Sequence, residues 1–411
     1  MPTSLSEFFA ALVASYEPSH LVREHLAHQP LHGSALTVLA LGKAAVSMAQ
    51  GAREALGGRI HAEVVVAPFI PSGSPPGWIE SAHPTPDACS VKAAQALLAA
   101  ARESIGPVLV LISGGGSALA ALPAPGLSLA DKAALLTQVY GAGANIEELN
   151  VVRKHLSAFK GGQLASAASN PVRTLVLSDV LGDSLSVVAS GPTVPDASTF
   201  ADAWQIVQRL CGEDCKGAAA SHLRLGVAGL REETPTHARP GDEAILLAGI
   251  RSFVAFAEAA ARTKFTNVLA MPDLFEGRVQ CVAEALASQI LSAAPEPALW
   301  IFGGEATIAL PPSPGSGGRA QHLALLLAEK IAGRANLQIL AAGSDGIDGN
   351  SIAAGAVVDG TTWSAIRKAG IDPHEALRTA DSARALAAVD AQIVTGPTGC
   401  NHADLVLVQF S

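Results

Sequence analysis

Short runs rich in Val, Leu and Ile, at Leu36–Leu41, Val64–Ala67, Val108–Ile112 and Val172–Leu177, alternate with stretches of helical periodicity at Ala44–Leu56, Val91–Arg102 and Asp131–Tyr140. No other feature narrows the fold as far, because strand and helix in strict alternation build a parallel sheet with helices on both faces. The pattern pauses in the polar, proline-bearing segment Arg231–Asp242. Strand patterns then resume at Ala244–Ala248, Asn267–Ala270, Ala298–Phe302 and Gln338–Ala341, with helical patterns at Phe253–Thr263 and Gln280–Leu291 between them. A chain of 411 residues exceeds the size at which one hydrophobic core usually stops growing. The expectation is two α/β domains with mainly parallel sheets, residues 1–236 forming a Rossmann-like domain and residues 237–411 a second, smaller one. Pro311–Gly318, almost entirely Pro, Gly and Ser, reads as a mobile loop before the amphipathic helix Ala320–Ile331. The run Asp404–Phe410 is a strand that either sheet could receive.

Composition removes several classes of function. Aromatic residues make up 4% of the chain, so stacking platforms for bases are scarce, and a formal charge of −9 repels a phosphodiester backbone. Nucleic acid is not an expected partner. The cysteines Cys89, Cys211, Cys215, Cys281 and Cys400 are scattered and odd in number, without the paired spacing of a zinc site. Glu7 near the start argues against a signal peptide, and no stretch of about 18 uncharged apolar residues suggests a membrane span. A reducing cytoplasm fits these features.

Chemistry-bearing residues gather at the ends of the strand patterns. The run Val108–Ile112 enters Ser113-Gly114-Gly115-Gly116-Ser117, where glycines let backbone N–H groups approach an anion and two hydroxyls flank them. The same residues also suit a tight strand-to-helix turn. A second strand ends in Ser178-Asp179-Val180-Leu181-Gly182-Asp183, followed by Ser190-Gly191-Pro192-Thr193. Carboxylates at the carboxyl end of a parallel strand lie where such sheets bind ligands, and their hard oxygens suit Mg²⁺, although Asp is also a common turn former there. Later, Gly303-Gly304-Glu305 ends one strand, Gly317-Gly318-Arg319 opens a helix, and Gly343-Ser344-Asp345-Gly346-Ile347-Asp348-Gly349 ends another strand. Arg319 is placed to clamp a phosphate or carboxylate, and Asp345 and Asp348 to hold a cation or to form Asx-turns. Lys43 follows the first strand, and Arg153-Lys154-His155 with Lys160 forms a basic patch, either of which neutralises phosphate charge or is a solvated face. His83, in a proline-rich turn, is a general base or a loop residue.

In order, the blocks LGKAAVSMA, SAHPTPDACSVKAA, LISGGGSAL, ELNVVRKHLSAFKGGQLA, LVLSDVLGDSLSVVASGPTVPD, FGGEATIAL, GSGGRAQHLAL, AAGSDGIDG and TGPTGCNHADL closely resemble the class II glycerate 2-kinase family, whose C-terminal part is the MOFRL domain. The resemblance spans nearly the whole chain. It implies two α/β domains with the active site in the cleft between them, ATP and Mg²⁺ as cosubstrate and metal, and 2-phosphoglycerate as product. It also implies that Lys43, Arg319 and Asp345 are catalytic or ligand-binding. Where the family usually continues Asn-Gln-Glu after the arginine, this chain has Ala320, Gln321 and His322. Ser344 replaces a usual Thr, Asn350 a usual Pro, Ile352 a usual Asp, Cys400 a usual Thr and Ala403 a usual Asn.

From these readings follows an expected mechanism. Lys43 and Arg319 neutralise the transferring phosphoryl group, while Ser113, Gly114, Gly115, Gly116, Ser117, Arg153, Lys154, Ser190 and Thr193 bind substrate or phosphate. Asp179, Asp183 and Asp348 are the metal ligands, and Asp345 holds metal or orients the hydroxyl. A small hydroxy acid and ATP are the expected partners, with a homodimer an open alternative to a monomer. Some members of the family carry the name hydroxypyruvate reductase, yet no G-x-G-x-x-G follows a strand. A sugar-acid-binding paralogue without turnover is the remaining alternative.

Overall fold

Strand β1 (Leu36–Leu41) is buried along its whole length, as an interior strand of a parallel sheet must be. It is joined in chain order by β2 (Ile60–Ala67), β3 (Trp78–Glu80), β4 (Val108–Ile112), β5 (Val172–Leu177) and β6 (Glu243–Ala248). Their order across the sheet is β3-β2-β1-β4-β5-β6. β1 pairs in parallel with β2 on one side and β4 on the other, placing Val66, Leu41 and Ile112 in one row at the carboxyl ends. The chain runs outward from β1 through β2 and β3, then returns to start outward again at β4. The connections leaving β1 and β4 therefore diverge, and such a switch point leaves a crevice at the strand ends.

The remaining strands are β7 (Val268–Ala270), β8 (Phe275–Arg278), β9 (Ala298–Thr307), β10 (Leu337–Gly343), β11 (Gly355–Asp359), β12 (Gln392–Ile393) and β13 (Asp404–Phe410). They form a second sheet in the order β12-β11-β10-β13-β9-β7, with β8 also on β9. This sheet is mixed. β7 and β8 run parallel to β9, whereas β13 is antiparallel to both β9 and β10, and β11 is antiparallel to β10. The run Asp404–Phe410 thus enters the middle of the second sheet, and it is buried at all but one position.

The structure is a computed structural model that describes residues 4–292, 297–399 and 402–411; Cys400 lies outside them. Two compact units emerge, Pro18–Leu247 and Ala248–Ser411, the latter together with the residues up to Glu17. The division falls later than residue 236 because Glu243–Ala248 completes the first sheet. The helix Leu5–Ser15, capped reciprocally by Ser4 and Glu7, buries Leu5, Phe8, Phe9, Leu12 and Val13. Phe8 packs edge-on against Phe265, and Tyr16 packs against both Phe253 and His402, which is why these first residues belong to the C-terminal unit. Among the described residues no helix is long and apolar enough to cross a membrane.

Candidate active site

In the N-terminal unit, polar side chains collect where β1, β4 and β5 end. Gly42 turns the chain out of β1 at φ +132°, and a Cβ there would stand 2.2 Å from Ser113 Oγ. No other residue fits so close an approach of two strand ends. The turn leaves Lys43 exposed, with its backbone N–H donating to Gly114 O at 2.9 Å. A Cβ on Gly115 would meet His83 Nε2 at 3.1 Å and Lys43 Cγ at 3.2 Å, so the lysine stem, the imidazole and the glycine loop converge. Burial, and then the neighbouring Lys43, lower the His83 pKa and favour the neutral ring.

The Ser113–Ser117 segment, expected to bind an anion, also makes contacts within the protein. Ser113 Oγ already accepts the N–H of Ala44 at 3.0 Å, just before the helix Ala45–Leu56. The space beside Gly114 is filled by the Asp179 carboxylate, since a Cβ there would lie 1.8 Å from Asp179 Oδ2. The helix that follows, Gly116–Leu119, is a single turn, too short for an appreciable dipole. Glycine at 114 therefore brings the loop against Asp179.

Behind this loop, Ser117 Oγ and Ser190 Oγ are 2.8 Å apart, Ser190 donates to Asn150 Oδ1 at 2.8 Å, and Arg153 donates to the same oxygen at 2.8 Å. Lys160, fully buried, donates to Ser117 O at 3.0 Å and Ala120 O at 3.2 Å. Sequence reasoning missed Asn150, and it had no means of seeing that Lys160 turns inward. Of two other expected binding residues, Lys154 has a buried partner and the Thr193 hydroxyl has none among the described residues. Lys154 is buried and paired with Asp196 at 3.2 Å, so it offers no charge to a ligand. Thr193 is buried beside a crevice of about 10 Å³, too small for one.

For a cation, Asp179 and Asp183 are the suitable donors in this unit. Asp183 sits in a left-handed turn at φ 52°, and its Oδ1 is buried without a hydrogen-bond partner among the described residues. An orphaned carboxylate oxygen four residues along the chain from a second carboxylate suits Mg²⁺, which commonly takes one or two protein carboxylates and completes its shell with water and phosphate. No three His, Cys, Asp or Glu side chains cluster to hold a metal among the described residues.

In the C-terminal unit, Arg319 opens the helix Arg319–Lys330 and is gripped from two strands. Its Nε and Nη2 donate to Asp404 Oδ2 and Oδ1 at 2.7 and 3.2 Å, and its Nη1 to Glu305 Oε1. Burial opposes the guanidinium charge, but Asp404 and Glu305 outweigh it and raise the pKa. Burial pushes Asp404 up to about 6, against the pull of Arg319. Asp345 joins this group: a Cβ on Gly343 would have Asp345 Oδ1 at 3.2 Å and Asp404 Oδ1 at 3.3 Å.

Asp348, expected as a metal ligand, caps the helix of Arg319 instead: its Oδ2 accepts the N–H groups of Gly318 and Gln321 at 3.1 and 2.8 Å and the Gln321 side-chain amide at 3.1 Å, and its Oδ1 accepts the N–H of Ala320 at 3.0 Å. The loop before that helix is also less mobile than its composition suggests. Gly315 N donates to Thr379 O, Ser316 N to Asp381 Oδ1, and Gly317 N to Asn350 Oδ1, while Asn350 Nδ2 donates back to Gly315 O. His322 is buried, and burial lowers its pKa to about 4, so it is a neutral packing residue on the covered side of the helix. Ile352 is exposed.

The domain of unknown function DUF4147 matches residues 4–224, and the MOFRL family matches residues 298–404. A D-glycerate 2-kinase of Thermotoga maritima is 36% identical over 95% of this chain and 94% of its own. A protein of Agrobacterium vitis named as a hydroxypyruvate reductase is 38% identical over 98% of this chain and 92% of its own. The crystal structure of a glycerate kinase from Thermotoga maritima superimposes with a TM-score of 0.89 at 34% identity, covering 99% of this chain and 98% of that one.

Proposed function

This chain belongs to the glycerate 2-kinase family, a DUF4147 domain followed by a MOFRL domain, and from that premise we propose that it transfers the γ-phosphoryl group of ATP to D-glycerate, giving 2-phosphoglycerate. The observation that carries the reading is the placement of Lys43 and the Ser113–Ser117 loop at the ends of β1 and β4, on the two sides of the switch point, with Asp179 at the end of β5 beside them.

Phosphoryl transfer asks the protein to align a hydroxyl with the γ-phosphate and to stabilise charge on its equatorial oxygens. Lys43, exposed at the mouth of the β1 turn, supplies a mobile point charge. Arg319 supplies a fixed one, since Asp404 and Glu305 hold its planar fork in a single orientation. Lys43 is assigned to the charge that develops on the transferring group. Asp179 and Asp183 hold Mg²⁺, which when bound neutralises phosphate charge. Neutral His83, against the Lys43 stem, accepts the proton of the attacking hydroxyl or its hydrogen bond.

The Agrobacterium vitis relative's name raises a second reading, hydride transfer from a nicotinamide. Against it stands the turn after β1, where a dinucleotide fingerprint would place three glycines and this chain has Gly42, Ala44 and Ser47. Pure protein with D-glycerate, ATP and Mg²⁺ is expected to release ADP in a coupled assay. Oxidation of NADH with hydroxypyruvate and no ADP release would replace the kinase reading with the reductase one.

A further inference from the structure

Beside the Ser117 turn lies a pocket of about 290 Å³, wholly within the N-terminal unit, whose polar wall is formed by Lys132, Arg153 and Lys160. Its remaining lining is apolar or hydroxyl-bearing, and no carboxylate lines it. Three cations around one small cavity without a counter-ion repel one another and are costly to bury. Lys132 shows the imbalance most clearly: it is 4% exposed, it points from the helix Leu129–Gly141 into the pocket wall, and its Nζ has no hydrogen-bond partner among the described residues. Lys160 spends two of its donors on Ser117 O and Ala120 O. Arg153 spends one on Asn150. Donors remain on all three.

We propose that this pocket is a subsite for the anionic group, carboxylate or phosphate, of a small substrate, held by Lys132, Arg153 and Lys160. The subsite stands on the pocket's own geometry; assigning its anion to a substrate rests on the kinase reading above. The volume is at the small end of the roughly 300–1,000 Å³ usual for ligand pockets, so it accepts an anionic group with a few attached atoms and not a whole nucleotide. Ser117 belongs both to this wall and to the loop that ends β4, and Pro84 follows His83. An acid anchored here lies against the loop that ends β4.

The empty pocket lowers its own charge. Burial, then the neighbouring Arg153, bring Lys132 down to about 7, and burial with Lys132 and Arg153 lowers Lys160 further from the usual lysine range. From the helix Ile146–His155 the group facing Lys132 is Arg153, from the segment after it Lys160, and the Pro84–Pro86 turn contributes no titratable group. An arriving anion stabilises the ammonium form, so binding takes up a proton at pH 8, and affinity falls as pH rises above about 7.

The test is titration calorimetry of the full chain with D-glycerate, with ADP and with inorganic phosphate as separate probes, in buffers of different ionisation enthalpy. The wild type is compared with Lys132→Met and Lys132→Arg. Expected is a loss of tenfold or more in Lys132→Met for at least one probe, proton uptake with that probe at pH 8, and partial recovery in Lys132→Arg. Loss with D-glycerate alone assigns the carboxylate, and loss with ADP and phosphate assigns a phosphoryl group. Loss with phosphate alone, in a protein that binds neither substrate, keeps the subsite and removes the kinase reading. Melting must rise or stay unchanged in Lys132→Met, since an unpaired buried cation has been removed. Affinities within twofold of wild type for every probe, absence of binding by all three, or weaker binding explained by a lower melting temperature, would overturn the proposal.

Discussion

Asp348 offers a sharp separation between holding a helix and holding a metal. Asp348→Ala removes the acceptor of three backbone N–H groups and one side-chain amide, all on buried residues at the start of Arg319–Lys330. A buried donor left without a partner costs about 1–3 kcal/mol, which sets a gross loss of roughly 4–12 kcal/mol. Two effects offset it. Burial opposes the charge of Asp348 and raises its pKa, so its removal relieves that strain, and water enters the space the carboxylate leaves. A net loss of about 3 kcal/mol remains, above the roughly 0.5–2 kcal/mol of an exposed cap. At about 2–4 °C per kcal/mol for a unit of roughly this size, Tm should fall by about 6–12 °C. Calorimetry, with urea unfolding followed through Trp300 and Trp363 in the same unit, reads the change. Asp348→Asn, which retains one acceptor, should lose about half as much. The Mg²⁺ concentration for half-maximal activity should stay as in the wild type. An unchanged Tm with a many-fold higher Mg²⁺ requirement would refute the capping assignment and return Asp348 to the metal.

Lys43→Ala should lower kcat by roughly a hundredfold or more, about 3 kcal/mol in barrier, with little change in Tm because the side chain is exposed; near-normal steady-state turnover would reduce it to a surface lysine. Asp404, at about 6, should impose an acid limb on kcat/KM, because protonation below that pH loosens its double hold on Arg319, and Asp404→Asn should abolish the limb in a pH–rate profile. The same raised pKa means the folded protein keeps this proton better than the unfolded chain between about pH 4 and 6, so the group's contribution to stability falls as pH rises through that window. Asn350→Ala should release the Gly315–Gly317 segment and speed limited proteolysis within residues 311–318; an unchanged cleavage rate would show that Thr379 and Asp381 suffice to hold it.

The parallel sheet of the N-terminal unit was legible because its strands are short, apolar throughout and separated by helical periodicity, a pattern with one common solution. The second sheet was harder. Nothing in the run Asp404–Phe410 reveals which neighbours it chooses, for a strand buried on both faces looks the same at an edge, in the centre or in another sheet. The site divides in a similar way. Lys43 and Arg319 were singled out in the sequence because each follows a glycine at the junction of a strand or loop with a helix. Their supports were not: Glu305 and Asp404 reach Arg319 from residues far away in the chain. Lys154 and Lys160 look alike in sequence, and the fold gives one a buried carboxylate and the other two carbonyls and a cavity. Packing places position 322, where the chain departs from the family pattern, on the covered side of the helix. At position 350 an asparagine ties the loop through both ends of its amide, which a proline could not do.

The place of β13 between β9 and β10 has a bearing on how the protein is made. On the ribosome, β9 and β10 emerge first, and each exposes an edge to the slot that β13 will fill. From Gly343 to Asp404 lie roughly sixty residues, a wait of about 3–12 s at about 5–20 residues per second. During that interval two apolar strand edges stand open to pairing with other nascent chains, so chaperone demand should concentrate there. Asp404 is the first residue of the strand that ends the wait, and it is also the carboxylate that fixes Arg319. The guanidinium consequently takes its working orientation as the sheet closes, and a nascent protein acquires its fixed cation at the same step as its completed second fold.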